Sequence, residues 1–519
     1  MSDQANLHDY LETLICKGLR SVKVGVIYSK LSIKMKSILF IVAFGLLWLC
    51  GCTERLPDTS IHFAIAQAPI NLDPRYATDA ASERVNRLIY QRLVEFDAAS
   101  KPTPSLASWQ KLSSTQYRFT LRNNIASFHH GKPLTAEDVK ATYESLLALN
   151  DTPHAAEYRN IHRIALINAQ TLDFDLTQPD ADFPARLLIG IMPKDLIKQQ
   201  HDFTHQPIGN GAFEFVSWQR RLTLKRLRDN QLITLTEVKD PTVRVLKLMR
   251  GETDLMQGDL PPELVQYLQK KPDIQVKTAQ GTNFSYLGLN MQDLILKQLK
   301  VRQAIAHAID REAIIQQVMV NNTRLAEVIL PPEHYAGNAT LQHAEYNPAL
   351  AKQLLQSAGI TLPLKLVYKT STDAQRVRSA TILQAQMAIA GIDLEIRSLD
   401  WGTFFAEVKQ GNFQLYGLTW VGIRTPEIYS KVFGSQWMPP NGLNRGGYQD
   451  ATLDALLLAE NWPAVTARIH TQLPYIPLWY EGQVAVMQKE IQQYSPQSDG
   501  NWDNLATIQR SATISNYAH

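Results

Sequence analysis

The chain has 519 residues, 45% of them hydrophobic and 19% charged, an ordinary globular composition long enough for more than one domain. Its formal charge of +3 belongs entirely to residues 1–51, which carry six Lys and Arg against three Asp and Glu. The remainder is formally neutral, which argues against a nucleic-acid partner held through phosphate contacts.

At the N-terminal end, Lys34, Met35 and Lys36 precede an almost unbroken apolar run from Ile38 to Cys50. The run is shorter than the roughly 18–20 residues that span a bilayer. A basic start, a short apolar core and a small-residue end describe a secretory signal. Met35 makes the tidier start, and residues 1–34 are either upstream of it or an extension. Leu49-Cys50-Gly51-Cys52 resembles a bacterial lipobox. That resemblance implies a leader over 1–51, lipidation of Cys52, a lipidated tether over 52–60, and a membrane-anchored lipoprotein on the periplasmic or cell-surface side. One acyl chain holds a protein weakly, so stable anchoring requires several. The cysteines are Cys16, Cys50 and Cys52. Cleavage before Cys52 leaves one, so no intrachain disulfide or thiolate metal site is expected.

Ile61, Phe63 and Ile65 alternate with polar or small residues and predict a strand. Ala80 to Val94 reads as helix. Tyr117–Leu121 and Leu172–Leu176 alternate cleanly and predict strands. Thr135 caps a helix running to Leu149, with Glu137 and Asp138 at its positive end. Leu222, Leu224 and Leu227 predict a strand with its basic residues exposed. Val301, Ile305, Ala308 and Ile309 share one face of a helix expected to continue past Asp310 to Val320. Leu364, Leu366 and Tyr368 predict a strand, Arg376 to Ala390 a helix stopped by Gly391, and Leu394, Ile396 and Trp401 a further strand and turn. No internal repeat is present, and the interspersed elements make the class α/β.

Enzyme signatures are missing. There is no Walker-type loop, no H-E-x-x-H and no G-x-S-x-G, and no nucleophile–base set stands out, so no enzyme and no cofactor are expected. Gly209-Asn210-Gly211 reads as a tight turn. The adjacent pair His129-His130 lacks a completing ligand set for zinc. Asp254 and Asp259 read as solvated loop charges. Aromatic residues are concentrated between 401 and 480, and the stretch Trp437–Tyr448 is too rich in turn residues for helix or strand. Singly, these aromatics read as core; the loop as a whole reads as a binding surface.

Several blocks, in order, resemble the solute-binding proteins of peptide/nickel-class ABC importers (bacterial solute-binding protein family 5). They are Asn71-Leu72-Asp73-Pro74 with Ile89–Val94, Tyr117–Arg122 with Phe128–Val139, Ile208–Phe213, Tyr286–Asn290 with Val301–Arg311, and Pro474–Trp479. The resemblance implies a two-lobed periplasmic-binding-protein type II fold with a hinge and an interlobe ligand cleft. Lobe I would hold 61–280 plus 481–519, and lobe II 281–480. It implies a monomer that captures peptides or a peptide-like solute and delivers them to a membrane permease. A metal chelate, haem or sugar is the alternative ligand, and a secreted hydrolase the less favoured alternative function. A transcriptional regulator would need a DNA-binding helix pair that residues 1–34 do not supply. Many peptide-binding members carry Trp-x-x-Asp, whose aspartate holds the peptide amine. Here the match is Trp420-Val421-Gly422-Ile423, and isoleucine cannot hold an ammonium. Trp420 is expected as an apolar wall, Arg424 and Arg445 as anion anchors, and Asn444 and Tyr448 as hydrogen-bonding partners. Arg424 facing solvent or a structural carboxylate is the alternative. The connection from Leu453 to Pro474 is shorter than the family's usual helical stretch.

Overall fold

Two long antiparallel strands, Ile274–Leu289 and Tyr475–Gln488, form the spine of the computed structural model. The structure describes residues 59–511 apart from 150–151, 320–321 and 440–441; the apolar run and Cys52 lie outside them. From one edge, the main sheet runs Ile392–Leu399, Leu364–Ser371, Leu415–Trp420, then the two long strands, then Leu255–Gln257, Ile61–Ile65, Leu232–Glu237, Leu222–Arg226 and Phe213–Trp218. Ile61–Ile65 is parallel to both its neighbours, and so is Leu364–Ser371. Each half of the sheet therefore contains parallel pairings that need crossover connections, while Leu232–Glu237, Leu222–Arg226 and Phe213–Trp218 finish one edge antiparallel. A separate antiparallel sheet runs Ala107–Ser113, Gln116–Leu121, Thr171–Leu176, Ile161–Leu166.

The apolar clusters divide cleanly along the chain. Two draw only on residues 284–480; three draw only on 61–276 and 484–508. The two halves meet where the long strands change register, between Ala279 opposite Gln483 and Asn283 opposite Glu481. Gly281 occupies that step. A Cβ there would lie 1.5 Å from the Glu481 carbonyl oxygen, so only glycine lets the backbones pass this closely.

Most elements appear where the alternation and caps place them. Thr135 N and Oγ1 both donate to Asp138 Oδ2 at 2.8 Å, and the helix runs Ala136–Ala148. Leu364–Ser371 is a strand, and Ala374–Ile389 a helix closed by Gly391. Five expectations are corrected. The helix from Ala80 ends at Ile89, not Val94, because Gly211 N donates to Ile89 O and Asn210 Oδ1 takes Gln91 N, turning the chain. The helix through Val301 stops at His307, and a second runs Arg311–Val318. Asp310 Oδ1 accepts Ala313 N at 2.9 Å and caps the second helix, a local bond that wins over continuation; Val320 lies outside the described residues. Trp401 opens a helix, Trp401–Gln410, capped by Asp400. The strand at Leu222 ends at Arg226, which is buried rather than exposed because its guanidinium donates to Leu505 O, Ile508 O and Asp229. Asp254 is likewise no solvated loop charge: it is buried and accepts His62 N at 2.7 Å and Arg510 Nη2 at 2.5 Å.

Candidate functional site

The strand Leu415–Trp420 pairs with Ile274–Leu289, placing Trp420 opposite Phe284 and Leu418 opposite Tyr286. Residues two apart share a face, so Phe284, Tyr286 and Trp420 line up. Tyr286 stacks on Trp420 with centroids 6.2 Å apart and on Tyr475 at 4.1 Å. Trp420 is only half-buried, and its Nε1 has no hydrogen-bond partner.

Arg445 lies over this ring system. Its guanidinium carbon is 5.3 Å from the Trp420 ring centroid and 5.1 Å from that of Phe405. Phe405 stacks on Trp401 at 5.4 Å, which in turn lies under Arg376 at 5.7 Å. The result is a ladder: Arg376, Trp401, Phe405, Arg445, Trp420, Tyr286, Tyr475. Both rings attract the cation. The Arg445 side chain makes no hydrogen bond or ion pair with any described residue, so its N–H edges remain to bind a carboxylate.

The other expected site residues are engaged locally. Arg424 pairs with Asp499 and lies 5.5 Å over the Phe96 ring, so the structural-carboxylate alternative describes it. Burial pushes its guanidinium below its ordinary pKa, opposed by Asp499. The contact joins the 284–480 half to the other half. Ile423 packs at the edge of an apolar cluster. Asn444 is buried; its Nδ2 donates to Gly434 O and Tyr448 O, and its Oδ1 accepts Tyr448 N. Tyr448 is buried and donates to Asp450 Oδ2 at 2.8 Å; burial and that carboxylate raise its pKa. Asp450 caps the helix Ala451–Leu458 and binds Arg468. Asn444 and Tyr448 thus spend their polar atoms shaping the loop that presents Arg445.

Two groups at the site were not legible in the sequence. Phe405 sits four residues after Trp401, a helical spacing that marks a shared face only once the helix is known. Glu481 Oε1 accepts Ser285 Oγ at 2.6 Å and Thr419 Oγ1 at 3.0 Å, and only the pairing of three strands assembles that set. Of the concentrated aromatics, Phe404, Tyr416, Tyr429, Tyr448, Tyr475, Trp479 and Tyr480 are core, while Phe405 and Trp420 are the half-buried ones that hold Arg445.

Elsewhere, His129, His130, His201, His205, Glu214 and Trp218 line a cavity of about 560 Å³. His129 Nε2 donates to Gly211 O at 3.1 Å. Among the described residues no group of three or more His, Cys, Asp and Glu is arranged to hold a metal ion.

The family described as bacterial extracellular solute-binding proteins, family 5 Middle, matches residues 101–437. Among similar proteins are di/tripeptide-binding protein 1 of Pseudomonas aeruginosa, 27% identical over 70% of this chain and 76% of the relative, and the glutathione-binding protein GsiB of Salmonella choleraesuis, 27% identical over 87% and 95%. Similar solved structures include NikA of Brucella suis in complex with Fe(III)-EDTA, with a TM-score of 0.78, 21% identity and coverage of 87% and 100%. DppA of Helicobacter pylori in complex with the peptide STSA has a TM-score of 0.71, 24% identity and coverage of 87% and 98%. The fold is the two-lobed α/β fold of these binding proteins. By the match over 101–437, the chain belongs to the bacterial extracellular solute-binding proteins of family 5.

Proposed function

We propose that the protein is the substrate-binding component of an ABC importer, capturing a peptide or peptide-like solute outside the cytoplasmic membrane and delivering it to the permease. Lobe I comprises 61–280 with 481–519, lobe II comprises 281–480, and the register step at Gly281 is the hinge. The ligand sits between them, and contacts to both lobes favour the closed state. No covalent step is involved, and the protein works as a monomer tethered through lipid on Cys52. The observation that carries this reading is the Arg445 guanidinium between Phe405 and Trp420, free of any acidic partner among the described residues. It suits a ligand carboxylate. Ile423 offers nothing to a peptide amine, so the carboxylate end is the anchored one.

The test is calorimetry of the full chain against di- and tripeptides, each free, N-acetylated and C-amidated. Free and acetylated peptides are expected to bind alike, and amidation to weaken binding roughly tenfold, the loss of one charge-assisted contact. The peptide reading fails if no peptide binds while a metal chelate, haem or sugar does.

A further inference from the structure

Among the described arginines that are not exposed, Arg84 and Arg445 alone have a side chain with neither a hydrogen bond nor an ion pair. The contrast around Arg84 is sharp. On the same helix, Arg87 binds Asp503 and Glu95. Arg92, just beyond it, binds Glu83, and Arg424 binds Asp499. Arg84 has only the Trp502 ring beneath it, 5.4 Å from its guanidinium carbon. Burial pushes its pKa down, partly offset by the charges of Asp259 and Asp499. Asp499 is not its partner: that carboxylate is taken by Arg424, by Asn501 N at 2.9 Å and by Asn501 Nδ2 at 2.7 Å.

Its location is informative. A Cβ on Gly500 would lie 3.1 Å from Arg84 Nη2 and 3.0 Å from Gln483 Oε1. Gln483 stands opposite Ala279, at the register step where the halves meet. Gly500 follows Asp499, whose partner Arg424 lies four residues beyond Trp420. Arg84 therefore stands in the 61–276 half, beside the contact between halves whose other side leads to Trp420 and Arg445.

A partly desolvated guanidinium without an acceptor is costly. A bound anion removes the cost, and a ring beneath the cation leaves its in-plane N–H edges for a bidentate carboxylate. We infer that Arg84 is a second anion-binding group of the cleft, contributed by the opposite lobe from Arg445, and that the preferred ligands carry two carboxylates, as an acidic peptide does. This rests on the proposed binding function and narrows its substrate class. It also couples affinity to closure, since one dianionic ligand satisfies both cations only when the lobes are together.

The experiment is calorimetry of the full chain with matched ligands, Ala-Glu against Ala-Gln and Glu-Ala against Gln-Ala, together with glutarate as a peptide-free dicarboxylate. The native chain is expected to favour the acidic member of at least one pair by roughly tenfold. Arg84→Gln should reduce that ratio to near one, and Arg84→Lys should retain part of it, with thermal melts checking that both variants fold. The acid-to-amide ratio in the native chain needs no variant. The inference is overturned if that ratio is near one in both pairs, or if Arg84→Gln folds and leaves it unchanged. If no peptide binds but glutarate does, and only with Arg84 present, the peptide reading fails while the inference stands. If neither peptides nor glutarate bind, both fall.

Discussion

Replacing Asp499 with Asn, Arg424 with Ala, and both together isolates the ion pair that joins the two halves of the molecule. The two side chains are 24% and 20% exposed, so the pair is shielded enough to exceed a surface ion pair yet is not fully desolvated. A hydrogen bond between charged groups is worth about 1.5–3 kcal/mol, and partial exposure places this pair near the lower end. The Phe96 ring under Arg424 adds about 0.5–1 kcal/mol, which the Asp499 variant keeps and the Arg424 variant loses. The cycle should therefore give a coupling of about 1–2 kcal/mol. Because the pair spans the halves, the loss should appear in ligand affinity, up to about tenfold, more than in the unfolding midpoint. X-ray scattering of the unliganded chain should show an increased radius of gyration in each variant. Coupling below about 0.3 kcal/mol, or a lowered unfolding midpoint with unchanged affinity, would refute the role of this pair in closure.

Gly211→Ala places a Cβ 2.3 Å from Leu88 O and 2.6 Å from Ile89 C. A loss of about 3 kcal/mol is expected in urea unfolding, whereas a tolerated Gly→Ala change would be stabilising. Asn444→Ala orphans Tyr448 O and Tyr448 N and removes one of the two bonds to Gly434 O, which keeps Trp437 N, and should cost about 3 kcal/mol in the same assay; lost ligand binding with unchanged stability would instead make Asn444 a ligand contact. Hydrogen bonding from Arg226 holds Asp229 down to about 2, against an ordinary 3.8. The folded state thus releases this proton more readily than the unfolded one, so its stabilisation is full above pH 3.8 and is lost as pH falls through about 2. Asp229→Asn should flatten that part of the stability curve in acid titrations followed by circular dichroism. Cys52→Ser should shift the protein from the membrane to the soluble fraction; continued membrane association would remove the lipid tether from the proposal.

Local chemistry was legible along the chain. The alternation of Tyr117–Leu121 and Leu172–Leu176 specifies half-buried strands, because side chains of a strand point to opposite faces at a period of two. Thr135 with Asp138 marks a helix start for an equally local reason. The same logic erred where a local cap was overlooked, at Asp310 and Asp400, and where a bond from outside the segment decided the outcome. Gly211 and Asn210 end the helix at Ile89 from more than a hundred residues away, and Leu505 and Ile508 draw Arg226 into the interior.

The candidate site divides the same way. Composition marked the loop that carries Arg445, and the resemblance to the Trp-x-x-Asp motif of peptide-binding members marked Trp420, Arg424 and Ile423, the last as a position unable to hold an ammonium. Which cation has a carboxylate partner is a question of through-space neighbours. Asp499 reaches Arg424 across 75 residues, Phe405 and Trp420 enclose Arg445 from separate elements, and Arg84 is left with a ring alone. The sequence by itself determined most of the elements, the cap at Thr135 and the chemical types available, because those depend on residues a few positions apart. Tertiary structure alone decided which charges are neutralised and which remain for a ligand, because pairing between charges is set by distance in space and by burial.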